Sequence, residues 1–201
     1  NDSMLVSYII SKEKCVGCKG VENCQQLNKG YSQSLFYEDD TFKLERKPCT
    51  YQQVILEEKA KAERLQVIGI DLSLYNDELF TNTNRKSVLA KVKQVIVNYQ
   101  KGLDNKGFYL HGSYGSGKTY ILANLAKILV SSNARVIFAY YPDLVRKIKG
   151  YIGKTEFEDI IEELKNIEVL ILDDFGGESP NSYIRDEVLL PILQERMAYN
   201  R

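Results

Sequence analysis

Eight consecutive residues, Gly112-Ser-Tyr-Gly-Ser-Gly-Lys-Thr119, carry the clearest chemistry in the chain. They fit G-x-x-x-x-G-K-[ST], a phosphate-binding loop. Gly112, Ser113, Tyr114, Gly115, Ser116 and Gly117 would turn their backbone N–H groups toward a phosphate chain. Lys118 would reach the β- and γ-phosphates, and the Thr119 hydroxyl would ligate Mg²⁺. A second group stands downstream, where the apolar run Ile167-Glu-Val-Leu-Ile-Leu ends in Asp173-Asp174. An isolated run of this kind reads as a buried strand with a solvated turn. Downstream of a phosphate loop it reads as a Walker B strand. Asp173 is then the carboxylate that holds Mg²⁺, and Asp174 the group that orients the attacking water. Lys118, Asp173 and Asp174 are the candidate catalytic residues.

These groups work only if the chain positions them. Gly107 to His111 reads as a short buried strand entering the loop. Tyr120 to Val130 has apolar residues at helical spacing and reads as the helix leaving it. A helix N-terminus there aims its dipole at the anion. Arg135 to Tyr140 predicts a second strand, and Pro142 to Ile148 a helix opened by proline and broken at Gly150 to Gly153. Phe157 to Leu164 predicts the helix before the acidic strand. Gly176 to Ser182 reads as a loop, and a helix follows from Tyr183, carrying Arg185 and Arg196. Pro191 should kink or break that helix near Leu190.

All four cysteines, Cys15, Cys18, Cys24 and Cys49, lie in residues 1–50. Cys15-Val-Gly-Cys18 is a C-x-x-C pair able to grip one tetrahedral ion, with two further ligands needed. A Cys₄ zinc site is the leading reading; free structural thiols and a redox pair are the alternatives. A hairpin is expected between Ser34–Tyr37 and Thr41–Glu45, around Glu38-Asp-Asp40. So small a module would draw stability from a metal. Residues 51–82 read as a connector, a charged helix over Val54 to Leu65 and then loop through Gly69 to Tyr75 and Thr81 to Asn84. The domain begins near residue 83. Its first helix, Arg85 to Gln100, has Val88, Leu89, Val92, Val95 and Ile96 on one face. Gly102 ends it, and Asp104-Asn105 turns into the strand before the loop.

The chain has 201 residues, with 27 basic and 27 acidic side chains. A net charge of zero offers no bulk field for nucleic acid. No stretch is long and apolar enough to span a membrane. Met4 to Ile10 lacks the basic flank of a signal peptide. A cytoplasmic, reducing setting is therefore expected, where cysteines bind metals more often than they pair. One local patch stands out. Tyr140, Tyr141, Arg146, Lys147, Lys149, Tyr151 and Lys154 interleave rings and cations, as a single-strand groove would. A solvated helix face is the simpler reading.

In three features the chain resembles the DnaI/DnaC family of bacterial replicative-helicase loaders, AAA+ ATPases related to the initiator DnaA. They are the phosphate loop between Phe-Tyr-Leu-His and Leu-Ala-Asn-Leu-Ala, the run Val-Leu-Ile-Leu-Asp-Asp-Phe-Gly-Gly-Glu, and Arg185-Asp-Glu-Val-Leu-Leu-Pro-Ile-Leu-Gln-Glu-Arg-Met197. The leading cysteines look like the family's zinc module, with Cys24 where relatives use a histidine. The resemblance implies an α/β fold, a P-loop AAA+ core of parallel sheet flanked by helices over residues 83–201. It implies ATP or ADP, Mg²⁺ and Zn²⁺ as cofactors. Its implied partners are the replicative DNA helicase, single-stranded DNA and further copies of the AAA+ module. Only two strands are expected after the phosphate loop. The core therefore reads as C-terminally truncated, with sensor and arginine-finger residues beyond Arg201, and ATP hydrolysis is expected to be weak. The alternatives are a transposition helper, another P-loop regulatory ATPase, or a P-loop kinase. The last would want an arginine-rich lid that is not evident.

Overall fold

The computed structural model describes residues 2–75, 85–103, 107–176 and 181–200. The chain divides into two compact units, Asn1–Ala60 and Lys61–Arg201.

The first unit opens with a helix that the sequence reading did not anticipate, α1 (Asp2–Glu13). The expected hairpin forms, and it is longer than read: β1 (Tyr31–Glu38) pairs antiparallel with β2 (Thr41–Pro48). Asp39 and Asp40 both take positive φ, 51° and 56°. That is the conformation a tight two-residue hairpin turn demands, and Asp tolerates it better than most residues. Helix α1 is tied to β1 through Ser11, a buried hydroxyl that accepts from the Gln33 backbone N–H at 3.0 Å. Helix α2 (Thr50–Arg64) follows.

In the second unit, β3 (Leu65–Ile68), β4 (Val136–Tyr140) and β5 (Val169–Asp173) form a parallel sheet in that order. Strand β3 corrects the expectation of helix and loop through this part of the connector. Four residues without clear alternation carry little local signal; pairing with β4 makes them a strand.

Strand β4 shows why the sheet sits at the centre. Val136, Ile137, Phe138 and Ala139 are wholly buried. Val136 and Phe138 face one core, with Leu89, Val92 and Ile96 of α3 (Lys86–Gln100) and Ile121, Leu125 and Leu129 of α4 (Lys118–Ser131). Ile137 and Ala139 face the other. There they meet α5 (Tyr141–Tyr151), α6 (Glu156–Asn166) and the C-terminal helical segment. Helices on both faces of a parallel sheet are the α/β arrangement expected.

Helix α5 runs through Gly150 and ends at Tyr151, with Ile152 as its C-cap and Gly153 at φ 81° beyond it. A glycine costs a helix about 1 kcal/mol and does not by itself stop it. The C-terminal segment answers the proline. Ile184–Leu189 is a π-helical turn, and α7 (Leu190–Ala198) begins with Pro191 in its first turn. The two lie in one helical run that is not broken at Leu190; the π turn just before Pro191, where the Leu190 N–H reaches back to the Arg185 carbonyl, is where the regular ladder is interrupted. The readings at Thr81–Asn84, Asp104-Asn105 and 177–180 fall outside the described residues. Among the described residues, no helix is long and apolar enough to cross a membrane.

Candidate nucleotide site

The phosphate loop lies at the N-terminus of α4. Gly115 and Gly117 hold φ of 72° and 79°, which β-carbon-bearing residues avoid. At Gly112 an added methyl would press on Ser116 Oγ at 3.2 Å. The Ser116 N–H donates to the Ser113 carbonyl at 3.3 Å and closes the turn. Gly117 caps α4 without any side-chain hydrogen bond. The cap residue therefore has no side chain to compete for the first-turn N–H groups, which suits an anion-binding helix end. Lys118 Nζ donates back to the carbonyls of Gly112, 3.0 Å, and Ser113, 3.1 Å. The ammonium thus lies over the concavity of the loop. Ser113 and Tyr114 are exposed, Tyr114 fully.

One expectation fails at the loop's entrance. Residues 107–110 are not a strand, and Phe108 and Tyr109 are exposed at 40% and 73%. The reason is pairing. A strand exists through its ladder, and the described ladders of this sheet join only β3 to β4 and β4 to β5.

The two halves of the expected site do meet. Thr119 Oγ1 donates to Asp173 Oδ2 at 2.8 Å, across 54 residues of sequence. Asp173 is the last residue of β5 and is only 4% exposed. A buried carboxylate needs a partner, and the threonine hydroxyl is one. A hydroxyl and a carboxylate side by side beneath a phosphate loop fit a hard divalent cation such as Mg²⁺. Asp174 is exposed and sits in the left-handed region, φ 56°. It accepts from the Tyr140 hydroxyl at 3.1 Å. That hydrogen bond, then burial, raises the tyrosine's pKa above its ordinary value. The sheet makes the contact possible, since Tyr140 on β4 stands opposite Asp173 on β5. By sequence Tyr140 fits a base-stacking group, and no spacing rule ties it to Asp174.

The proposed single-strand groove does not assemble as read. Tyr141 is 3% exposed and packs on Phe175, centroids 4.8 Å apart. Tyr140 is committed to Asp174. Apolar burial claims the rings at this end of α5 and leaves cations outside. Arg146 is ion-paired with Asp143 at 3.0 Å, Lys147 is half-buried, and Lys149 is exposed. Lys154 lies 6.0 Å from the centre of the Tyr151 ring.

The four cysteines are also described, all half-buried and none in a disulfide. The Gly30 N–H donates to Cys24 Sγ at 3.3 Å, and Gln26 Nε2 to Cys15 Sγ at 3.2 Å. Cys18 Sγ lies 3.5 Å from the Gly20 carbonyl, and the Cys49 N–H donates to the Gly30 carbonyl at 2.7 Å. Among the described residues no three His, Cys, Asp or Glu come together to hold an ion. Cys15, Cys18, Cys24 and Cys49 as placed therefore do not fit a Cys₄ zinc centre. Spacing brings two thiols onto one turn, but the other two depend on tertiary packing that the pattern does not encode.

Residues 85–200, more than half of the chain, match the family described as IstB-like ATP-binding protein. This chain belongs to that ATP-binding family. It is 29% identical to the replicative helicase loader DnaI of Bacillus subtilis (strain 168) over 198 residues. That similarity covers 96% of this chain and 64% of the loader, so the chain spans under two-thirds of that relative's length. A crystal structure of DnaI superposes with a TM-score of 0.57 at 30% identity, covering 70% of this chain and 73% of that one. A primosome-component structure from Streptococcus pyogenes serotype M3 does so at 0.57 and 31%, covering 71% and 75%. The core thus has the AAA+ P-loop fold of DnaI.

Proposed function

We propose that this chain is a nucleotide-driven loader of a replicative DNA helicase, acting in primosome assembly at replication initiation in the cytoplasm. One observation favours this over a transposition helper. The similarity to DnaI runs through the cysteine-bearing unit and covers 96% of the chain, while the broader ATP-binding family accounts for residues 85–200 only. A helper built on the ATPase alone would not need the leading unit. Residues 1–50 form the partner-engaging module and α2 the connector, and the ATPase module takes in β3, which pairs with β4.

Within the ATPase module, Lys118 and the backbone N–H groups of residues 112–119 hold the phosphates. Thr119 and Asp173 hold Mg²⁺. Bound Mg²⁺–ATP supplies the scissile phosphoanhydride and the charge neutralisation its hydrolysis needs. Lys118 leaves the Gly112 and Ser113 carbonyls for phosphate oxygens, a stronger, charge-assisted pairing. Asp174 orients water, and the Tyr140 hydroxyl fixes that carboxylate until substrate competes for it. Single-stranded DNA contact, in this reading, rests on the exposed cations Arg146, Lys149 and Lys154 rather than on stacking rings. Self-association through the ATPase module belongs to the same reading. Zinc rests on the spacing of Cys15 and Cys18 alone, and metal analysis of the purified chain tests it.

The function itself is tested by capture. The immobilised chain should retain the cognate replicative helicase from purified components, with and without zinc chelation. No retention under either condition overturns the loader reading.

A further inference from the structure

Arg85 stands apart from every residue assigned so far. It is the residue before α3, far in sequence from the phosphate loop. Its guanidinium nevertheless lies against Gly117. A β-carbon built on that glycine would fall 2.5 Å from Arg85 Nη1, 3.2 Å from Nη2 and 3.3 Å from Cζ. Gly117 is the cap of α4 and directly precedes Lys118. Arg85 is half-buried, and among the described residues no hydrogen bond or ion pair engages its guanidinium. A guanidinium with no counter-ion among the described residues keeps its donors available to an anionic ligand. The other cation of the loop, Lys118, is satisfied by the loop's own carbonyls.

From this we infer that Arg85 is a second cation of the nucleotide site, meeting the phosphate chain of the bound nucleotide from the Gly117 side of the loop. The inference rests on the nucleotide-binding reading given above and adds a contact to it. The chemistry is suited to the task. Arginine keeps its charge at any physiological pH and offers several donors in one plane, which phosphate oxygens accept in pairs. A polyphosphate carries more negative charge than one lysine matches. Flanking the loop with two cations places charge on both sides of the chain. The same contact gives Gly117 a second reason to be glycine, since any side chain there would push the guanidinium aside.

Equilibrium titration of the full chain with Mg²⁺–ATP and with ADP, at low and high salt, tests this. Three variants are compared: Arg85→Met, Arg85→Lys and Lys118→Ala. Arg85→Met keeps length and packing without charge. It should weaken nucleotide binding about tenfold, the scale of a lost charge-assisted hydrogen bond, and flatten the salt dependence. Arg85→Lys should recover part of the affinity and most of the salt dependence. Thermal unfolding should stay close to that of the unsubstituted chain, so that lost binding is not lost folding. Binding by Arg85→Met equal to that of the unsubstituted chain, while Lys118→Ala binds poorly, overturns this inference and leaves the nucleotide site standing. If the unsubstituted chain binds no nucleotide, both fall together.

Discussion

Replacing Arg196 should unfasten the entrance to the acidic strand. Arg196 is 6% exposed. Its guanidinium donates to the carbonyls of Leu164 at 3.1 Å, Lys165 at 3.3 Å and Ile167 from Nη1, and to that of Glu168 at 3.3 Å from Nη2. These carbonyls end α6 and lead into β5, whose last residue is Asp173. A helix end leaves several carbonyls without intrahelical partners, and a cation there also meets the negative end of the dipole. Arg196→Met keeps the bulk and removes every donor. Each buried carbonyl left unpaired costs about 1–3 kcal/mol, and water recovers part of that, so the loss should be about 3 kcal/mol. For a unit of this size, the thermal midpoint should fall by about 6–12 °C. Arg196→Lys should recover only a fraction, because an ammonium does not span four carbonyls. Far-ultraviolet circular dichroism on heating, with urea unfolding as a second probe, measures this. A fall in midpoint under 2 °C (about 0.5–1 kcal/mol at this size) would refute the reasoning. So would equal stability of the Lys and Met variants.

Further outcomes follow from single contacts. Thr119→Ala removes the hydroxyl that meets Asp173 at 2.8 Å. It should abolish the Mg²⁺-dependent gain in nucleotide affinity while leaving Mg²⁺-free binding within about threefold, read by titration with and without EDTA. Tyr140→Phe frees Asp174 from its hydroxyl partner. Turnover of ATP should rise about two- to fivefold in a phosphate-release assay if the bond restrains the carboxylate; unchanged turnover assigns Tyr140 no part. The Tyr99 phenol is pushed up to about 12 by burial first and by its hydrogen bond to Glu168 second. Its folded pKa lies above the unfolded value near 10, so the neutral phenol stabilises the fold. That stability is fully present below pH 10 and is lost as pH rises toward 12. Tyr99→Phe should flatten the fall in melting temperature over that window.

The geometry of the candidate nucleotide site was legible because its residues are local to one loop or fixed by one strand end. A phosphate loop must place Lys118 and Thr119 where they stand. An apolar strand ending in Asp-Asp in a parallel sheet must bring Asp173 to the same edge. What local patterning hid was whatever depends on pairing. Leu65–Ile68 becomes a strand because β4 offers it a ladder, while 107–110, with equally strand-like residues, does not. Tyr140 and Tyr141 illustrate the same limit. As neighbours at the start of a helix they look alike, but one is buried against Phe175 and the other reaches across the register to Asp174. Arg85 carried no motif at all, and only its approach to Gly117 singles it out. The cysteines show the reverse failing, a familiar spacing that the described packing does not gather into a ligand set.

The most direct measurement is native mass spectrometry of the purified chain mixed with a hexameric replicative helicase, the proposed partner, with Mg²⁺–ATP and with Lys118→Ala in parallel. A helicase loader predicts an added mass of one or more copies of this chain on the ring, with a stoichiometry or occupancy that Lys118→Ala changes. Helicase rings that carry no copy of the chain at any nucleotide condition would contradict it.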